Sequence, residues 1–213
     1  MKSPQHPPWP LWKRVIALVL FALAVGWLYQ WMHESRRSDS FTGVGLTGVQ
    51  HIGPNFNISE FYVDGYYGSN VGREGGGGRH VCCVLLPKNW RPGLTVELRW
   101  SVGDWSKEIT TETDAGNYRT ITSEGVYKAK VPVERYETPA QVYVHFYAGG
   151  KARVVSSEVG SGNPHHPILD GDLHAAEHAT AGTPMPDIFT EEELAAMKRK
   201  DDERKKKHGG DWR

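Results

Sequence analysis

The chain has 213 residues, enough for one or two domains. Lys+Arg and Asp+Glu are both 25, so the formal net charge is zero, which argues against a nucleic-acid binder with a basic face. Two Cys exclude a disulfide scaffold, while Gly 24, Pro 13, Trp 8 and Tyr 9 suit a β-rich domain.

In chain order, residues 1–10 form a short polar start, expected in the cytoplasm. Residues 11–31 are apolar apart from Lys13, Arg14 and Gln30, with Trp9, Trp12, Trp27, Tyr29 and Trp31 toward the ends. At about 1.5 Å per residue such a helix spans most of a roughly 30 Å hydrocarbon core. A cleaved signal peptide with an A-x-A site at Ala22–Ala24 is the alternative, but the apolar run continues past Ala24 to Tyr29. The reading is a single-pass inner-membrane anchor with its N-terminus inside, Lys2, Lys13 and Arg14 preceding the span. Residues 32–42 are then a tether, and the rest of the chain lies in the periplasm.

Residues 43–159 read as a β domain, an antiparallel sandwich or open barrel. Alternation puts Val96, Leu98, Trp100 and Val102 on one face of 94–102, and Tyr127, Ala129, Val131 and Val133 on one face of 126–133. In 141–148, Val142, Val144 and Phe146 share a face, with Tyr143, His145 and Tyr147 opposite. Gly149-Gly150 is a hairpin turn into 152–159, and shorter strands are expected at 44–52, 58–63, 81–86 and 109–113. Residues 160–189 have a linker's composition. Thr190 to Glu193 is a capping box opening a charged helical tail, 190–213, acids first and bases last, as the helix dipole prefers.

Three motifs invite chemistry. Gly43-Val-Gly-Leu-Thr-Gly48 matches a dinucleotide loop but lacks the strand before it and the helix after it. His174-Ala-Ala-Glu-His178 matches the inverted zinc-peptidase spacing but has no apolar supporting face; adventitious metal binding by His165, His166, His174 and His178 is the weaker alternative. Cys82 and Cys83 follow a Gly75–Gly78 run. On a regular strand they point to opposite faces, so two buried structural thiols are expected, with a vicinal disulfide or a redox pair as alternatives. No catalytic constellation, metal or cofactor is expected.

The string from Gly75 to Leu94 (four glycines, Val81-Cys-Cys-Val84, Leu86-Pro87, Trp90-Arg-Pro-Gly-Leu94), with Phe61–Gly65 and Gly68–Val71, resembles a family of Gram-negative envelope domains of unknown function. The resemblance covers about residues 43–158. Members of that family occur beside type VI secretion phospholipase effectors and serve as their immunity proteins. The resemblance therefore implies an inhibitor of a secreted phospholipase, without catalytic residues of its own. This chain departs from the lipoprotein form of many members by its membrane segment. The alternative is an envelope structural or assembly protein. Aromatic residues near turns, Tyr66, Tyr67, Trp90, Trp105 and Tyr118, are the candidate partner contacts.

Overall fold

The computed structural model describes residues 12, 16–27, 40–73, 75, 81–113, 116–172 and 174–208, apart from the side chains of 107–108, 111–113, 117–120 and 208. Residues 16–27 are helical with exposed apolar side chains. Among the described residues no helix is long and apolar enough to cross a membrane. Residues 11, 13–15 and 28–31 of the expected span lie outside the described residues, as do 1–10 and all but residues 40–42 of the tether.

Among the described residues, ten strands form two sheets of five. The first has the order β4 (Val81–Pro87), β1 (Phe41–Gln50), β7 (Gln141–Tyr147), β8 (Lys151–Ser157), β9 (Thr180–Ala181). The second has the order β10 (Thr183–Met185), β6 (Gly116–Pro132), β5 (Thr95–Thr113), β2 (Phe56–Val63), β3 (Tyr66–Tyr67). The chain is mainly β, as expected, but the first sheet is mixed: β1 and β7 run parallel, Leu46 beside Val142 through Gln50 beside Phe146. Strands so distant in sequence have no hairpin to force the antiparallel sense.

The core lies between the sheets. Leu46, Val84, Val144, Phe146 and Val154 from the first meet Ile58, Phe61, Val63, Leu98, Trp100 and Val131 from the second. Full burial of each large apolar side chain is worth about 1.5–3 kcal/mol. The alternating faces expected of 94–102 and 126–133 supply much of this layer. Gly149 and Gly150, at φ 72° and 64°, make the tight turn between β7 and β8 that their pairing signals. An Asp64-Gly65 turn with both residues at positive φ joins β2 to β3 in the same way.

Residues 160–189 correct the linker expectation. They contribute β9 and β10, which pair with β8 and β6, and a short helix, Ala175–His178. Ile168 and Ala175 are buried against Val49, Tyr143, Tyr147 and Val155 on the outer face of the first sheet. That sheet is therefore covered on both faces, and every residue from Val142 to Tyr147 is buried. The Gly/Pro-rich composition gives a crossing path rather than a disordered one, because the apolar outer face needs a cover.

The tail helix runs Glu191–His208. The expected capping box is present: Glu193 N–H donates to Thr190 Oγ1 at 3.2 Å, and Thr190 N–H donates to Glu193 Oε2 at 3.0 Å. The same Glu193 accepts two hydrogen bonds from the Arg99 guanidinium, at 2.7 and 2.6 Å, while Arg99 also donates to Ile188 O and lies over the Phe189 ring. The helix start is thus clamped onto the second sheet. Glu193 holds Arg99 firmly protonated, and Arg99 in turn draws the Glu193 carboxyl down to about 2.

Candidate functional site

The expected partner contacts separate by environment. Tyr66 and Tyr67 stand on the edge strand β3, 41% and 48% exposed, and Tyr67 packs against Tyr62, which in turn meets Phe189 edge-on. They form an aromatic patch at the end of the second sheet. Trp90 is half-buried, packs against the core and donates its indole N–H to Val133 O at 2.8 Å. That bond and the packing fix the Trp90 ring against the sheet edge, with part of it left accessible. Trp105 is also half-buried: its indole N–H donates to Asn57 Oδ1 at 2.9 Å, and Arg73 covers its ring at 4.8 Å. The side chain of Tyr118 lies outside the described residues.

Trp105 sits at the neck of an arm. Strand β2 pairs with β5 only as far as Asp104, and β10 reaches only Val126–Lys128 of β6. Beyond an irregularity between Asp104 and Ile109, residues 109–113 pair with 116–120 and with no other described strand. At about 3.4 Å per residue the paired part of the arm is roughly 17 Å long. Ile109 on it is 59% exposed. The expected separate strand at 109–113 is therefore the far half of β5.

Cys82 and Cys83 are bonded to each other, Cys82 exposed and Cys83 half-buried. This corrects the expectation of two buried thiols. The register with β1 slips between Val44–Val84 and Gly45–Cys82, so Cys83 has no partner across the ladder. The bulge breaks the alternation that would send the two side chains to opposite faces. Gly43 to Gly48 lies within β1, with no helix following, so it cradles no phosphate. His174 and His178 are both exposed on the single turn 175–178, and His174 Nδ1 pairs with Glu177 at 2.7 Å. Among the described residues no group of three or more His, Cys, Asp or Glu could hold a metal ion.

The sequence reading missed a chain of three histidines. His51 Nε2 and His145 Nδ1 are 2.8 Å apart, His145 Nε2 and His166 Nε2 3.1 Å, and His166 Nδ1 and Val159 O 2.9 Å. The carbonyl only accepts, so His166 Nδ1 carries the proton. With all three rings neutral, each carrying one N–H, His166 Nε2 would accept, His145 Nε2 donate, His145 Nδ1 accept and His51 Nε2 donate. The rings are held by packing: His51 stacks between His145 at 5.1 Å and Tyr147 at 4.9 Å, and Tyr143 meets His166 edge-on. Burial, with the neighbouring His51, His166 and Arg153, pushes His145 down to about 2, so it is neutral at any ordinary pH.

His51 lines a cavity of about 500 Å³ with Gln50, Arg73, Tyr147 and Asp172. Gln50 is spent on its walls: Oε1 accepts from Ile52 and Gly53 N–H, and Nε2 donates to Arg73 O at 2.6 Å. Tyr147 is 5% exposed, and its hydroxyl is buried beside the Arg153 guanidinium with no other hydrogen-bond partner among the described residues. Burial first of all pushes that hydroxyl up to about 12. The visible signal was the Tyr143-His145-Tyr147 face, too polar for a core and too aromatic for solvent.

Residues 54–154 match the model of a family described as a protein of unknown function, DUF3304. The match spans β2 to β8 and includes Tyr147, His145 and the arm, but not His51 or His166. No curated protein and no solved structure matches the chain.

Proposed function

We propose that this chain is a membrane-anchored immunity protein that binds and blocks a secreted type VI phospholipase in the periplasm, rather than an enzyme. The observation that carries the reading is the arm at 109–120, a paired ribbon with no other described strand beside it and an exposed Ile109. A projecting ribbon of this length suits entry into the mouth of an enzyme's active site. The exposed Tyr66 and Tyr67 supply a second contact of a kind that dominates protein interfaces. The resemblance of Gly75 to Leu94 to a family of envelope domains of unknown function, members of which serve as immunity proteins, suggests the partner class. The exposed apolar side chains of residues 16–27 support the anchor, since they need an apolar phase around them. Tethering would raise the inhibitor's local concentration where the lipase meets its lipid.

The test is inhibition of a purified phospholipase effector from the same cells, by the full chain and by a variant with 109–120 replaced by a two-residue turn. The full chain should inhibit at one-to-one stoichiometry, and the trimmed arm should weaken inhibition by tenfold or more. Binding without any dependence on the arm, Tyr66 or Tyr67 would remove the structural basis of the reading.

A further inference from the structure

We propose, resting on the anchor of the reading above, that the tail helix and the end of the sandwich it runs toward lie on the anionic headgroups of the same bilayer. The chain enters the sandwich at one end. Phe41 opens β1 beside Pro87, the last residue of β4, and Lys88 N–H donates to Ser40 O at 2.8 Å. Residues 88–94 lead directly into Thr95, so β5 starts at this same end, beside Pro132 of β6. Thirteen residue steps separate Trp27, in the apolar helix, from Ser40, a reach of at most about 45 Å. The anchor therefore brings a membrane within range of this end.

The tail helix points the same way. Leu194 lies in a groove with Glu60 and Ser101, whereas Met197 and Lys200 lie beside Glu97 and the Asp64-Gly65 turn. From Ser101 to Glu97 is a step along β5 toward Thr95. The bonds from Arg99 to Glu193 fix that direction. From Met197 to Lys207 every side chain is exposed. At about 1.5 Å per residue, Arg204 to Lys207 lie roughly 6–10 Å past Lys200.

Charge selects the occupant. Residues 198–200 and 204–207 are all basic, seven side chains against the three acids at 201–203. Lys205 pairs with Asp201 at 3.0 Å within the helix, yet an excess of four positive charges remains on this stretch of a chain whose net charge is zero. The helix dipole accounts for bases in the last turn but not for those at 198–200, in mid-helix. An anionic leaflet attracts basic segments that come within about a Debye length of it, roughly 8 Å at physiological salt. Lys88, exposed, and Trp90, half-buried, flank the entry point, a basic and aromatic pairing suited to headgroup level. A bilayer fits better than an acidic protein because the tether already delivers one to this end. Since β5 leaves this end and its far half is the arm, the same footing aims 109–120 away from the membrane.

The test reconstitutes the full chain with vesicles of phosphatidylcholine, alone or with about 30% phosphatidylglycerol to supply the anionic surface. Flotation reads the anchor, and amide hydrogen exchange reads the tail. The chain should float with both vesicles. The amides of 201–207 should exchange at least about tenfold more slowly on the anionic vesicles than on the neutral ones, and about 0.5 M NaCl should remove the difference. Combining Arg204→Gln, Lys205→Gln, Lys206→Gln and Lys207→Gln keeps good helix formers and should abolish the slowing while leaving flotation on neutral vesicles intact. Flotation with both vesicles but equal tail exchange would overturn the lipid contact and leave the anchor standing. Flotation with the anionic vesicles alone would support the lipid contact and overturn the anchor; flotation with neither would overturn both. Slowing that survives the four glutamines, or that inorganic phosphate produces on neutral vesicles, would also overturn the proposal.

Discussion

Replacing His145 with glutamine should flatten the acid side of the stability profile. His145 is fully buried between His51 and His166, and its pKa falls from 6.5 to about 2, chiefly through burial and then through His51, His166 and Arg153. Below 6.5 the unfolded chain takes up a proton that the folded ring refuses. The stability is therefore complete above about pH 6.5 and drains away as pH falls toward 2. Each pH unit in that window costs about 1.4 kcal/mol, so about pH 4.5 removes nearly 3 kcal/mol through this residue. His51 is lowered too and acts in the same direction, partly offset by the Asp170 carboxylate. Glutamine offers a donor and an acceptor without titrating. Urea unfolding followed by tryptophan fluorescence, at about pH 7 and about pH 4.5, gives the two losses of stability. The loss should be smaller in His145→Gln by about 2–3 kcal/mol, because carboxylates that titrate in both proteins cancel. Equal losses would mean that the ring is not buried neutral, and would refute the histidine chain.

Three further outcomes follow from particular contacts. Gly48→Ala should destabilise the fold by about 1–3 kcal/mol in the same assay, because a Cβ there would meet Val71 at 2.5 Å and Phe61 at 2.9 Å. Arg99→Leu should free the start of the tail helix, read as faster hydrogen exchange of the Leu194 to Met197 amides by about tenfold or more, with the sheet amides unchanged. Tyr66→Ala with Tyr67→Ala should leave the unfolding midpoint nearly unchanged, since both are exposed, while costing at least about 1 kcal/mol of affinity for the partner.

Period-two alternation made the sandwich legible, since the apolar residues facing the core repeat every second position in β5 and β6, as do Val142, Val144 and Phe146 in β7, where both faces are buried. The Thr190–Glu193 cap was legible because its spacing states its own hydrogen bonds. What escaped was whatever depends on distant pairing. β9 and β10 are two and three residues long and carry no periodicity, so only their partners in β8 and β6 make them strands. The parallel β1–β7 contact joins segments roughly a hundred residues apart, which no local pattern encodes. His51, His145 and His166 likewise come from a strand end, a central strand and the covering segment. Of that site, only the Tyr-His-Tyr face of β7 was visible beforehand. The Asp64-Gly65 turn is a local hairpin signal that the strand reading passed over, and it is what presents Tyr66 and Tyr67.

The most direct measurement of the central claim is capture of the tagged full chain from the envelope of its native cells, followed by identification of what is bound. The account predicts a secreted phospholipase, recovered in equal amount with the chain and lost when residues 109–120 are trimmed. Recovery of secretion-machine or cell-wall components with no lipase would contradict it and assign the chain to envelope assembly.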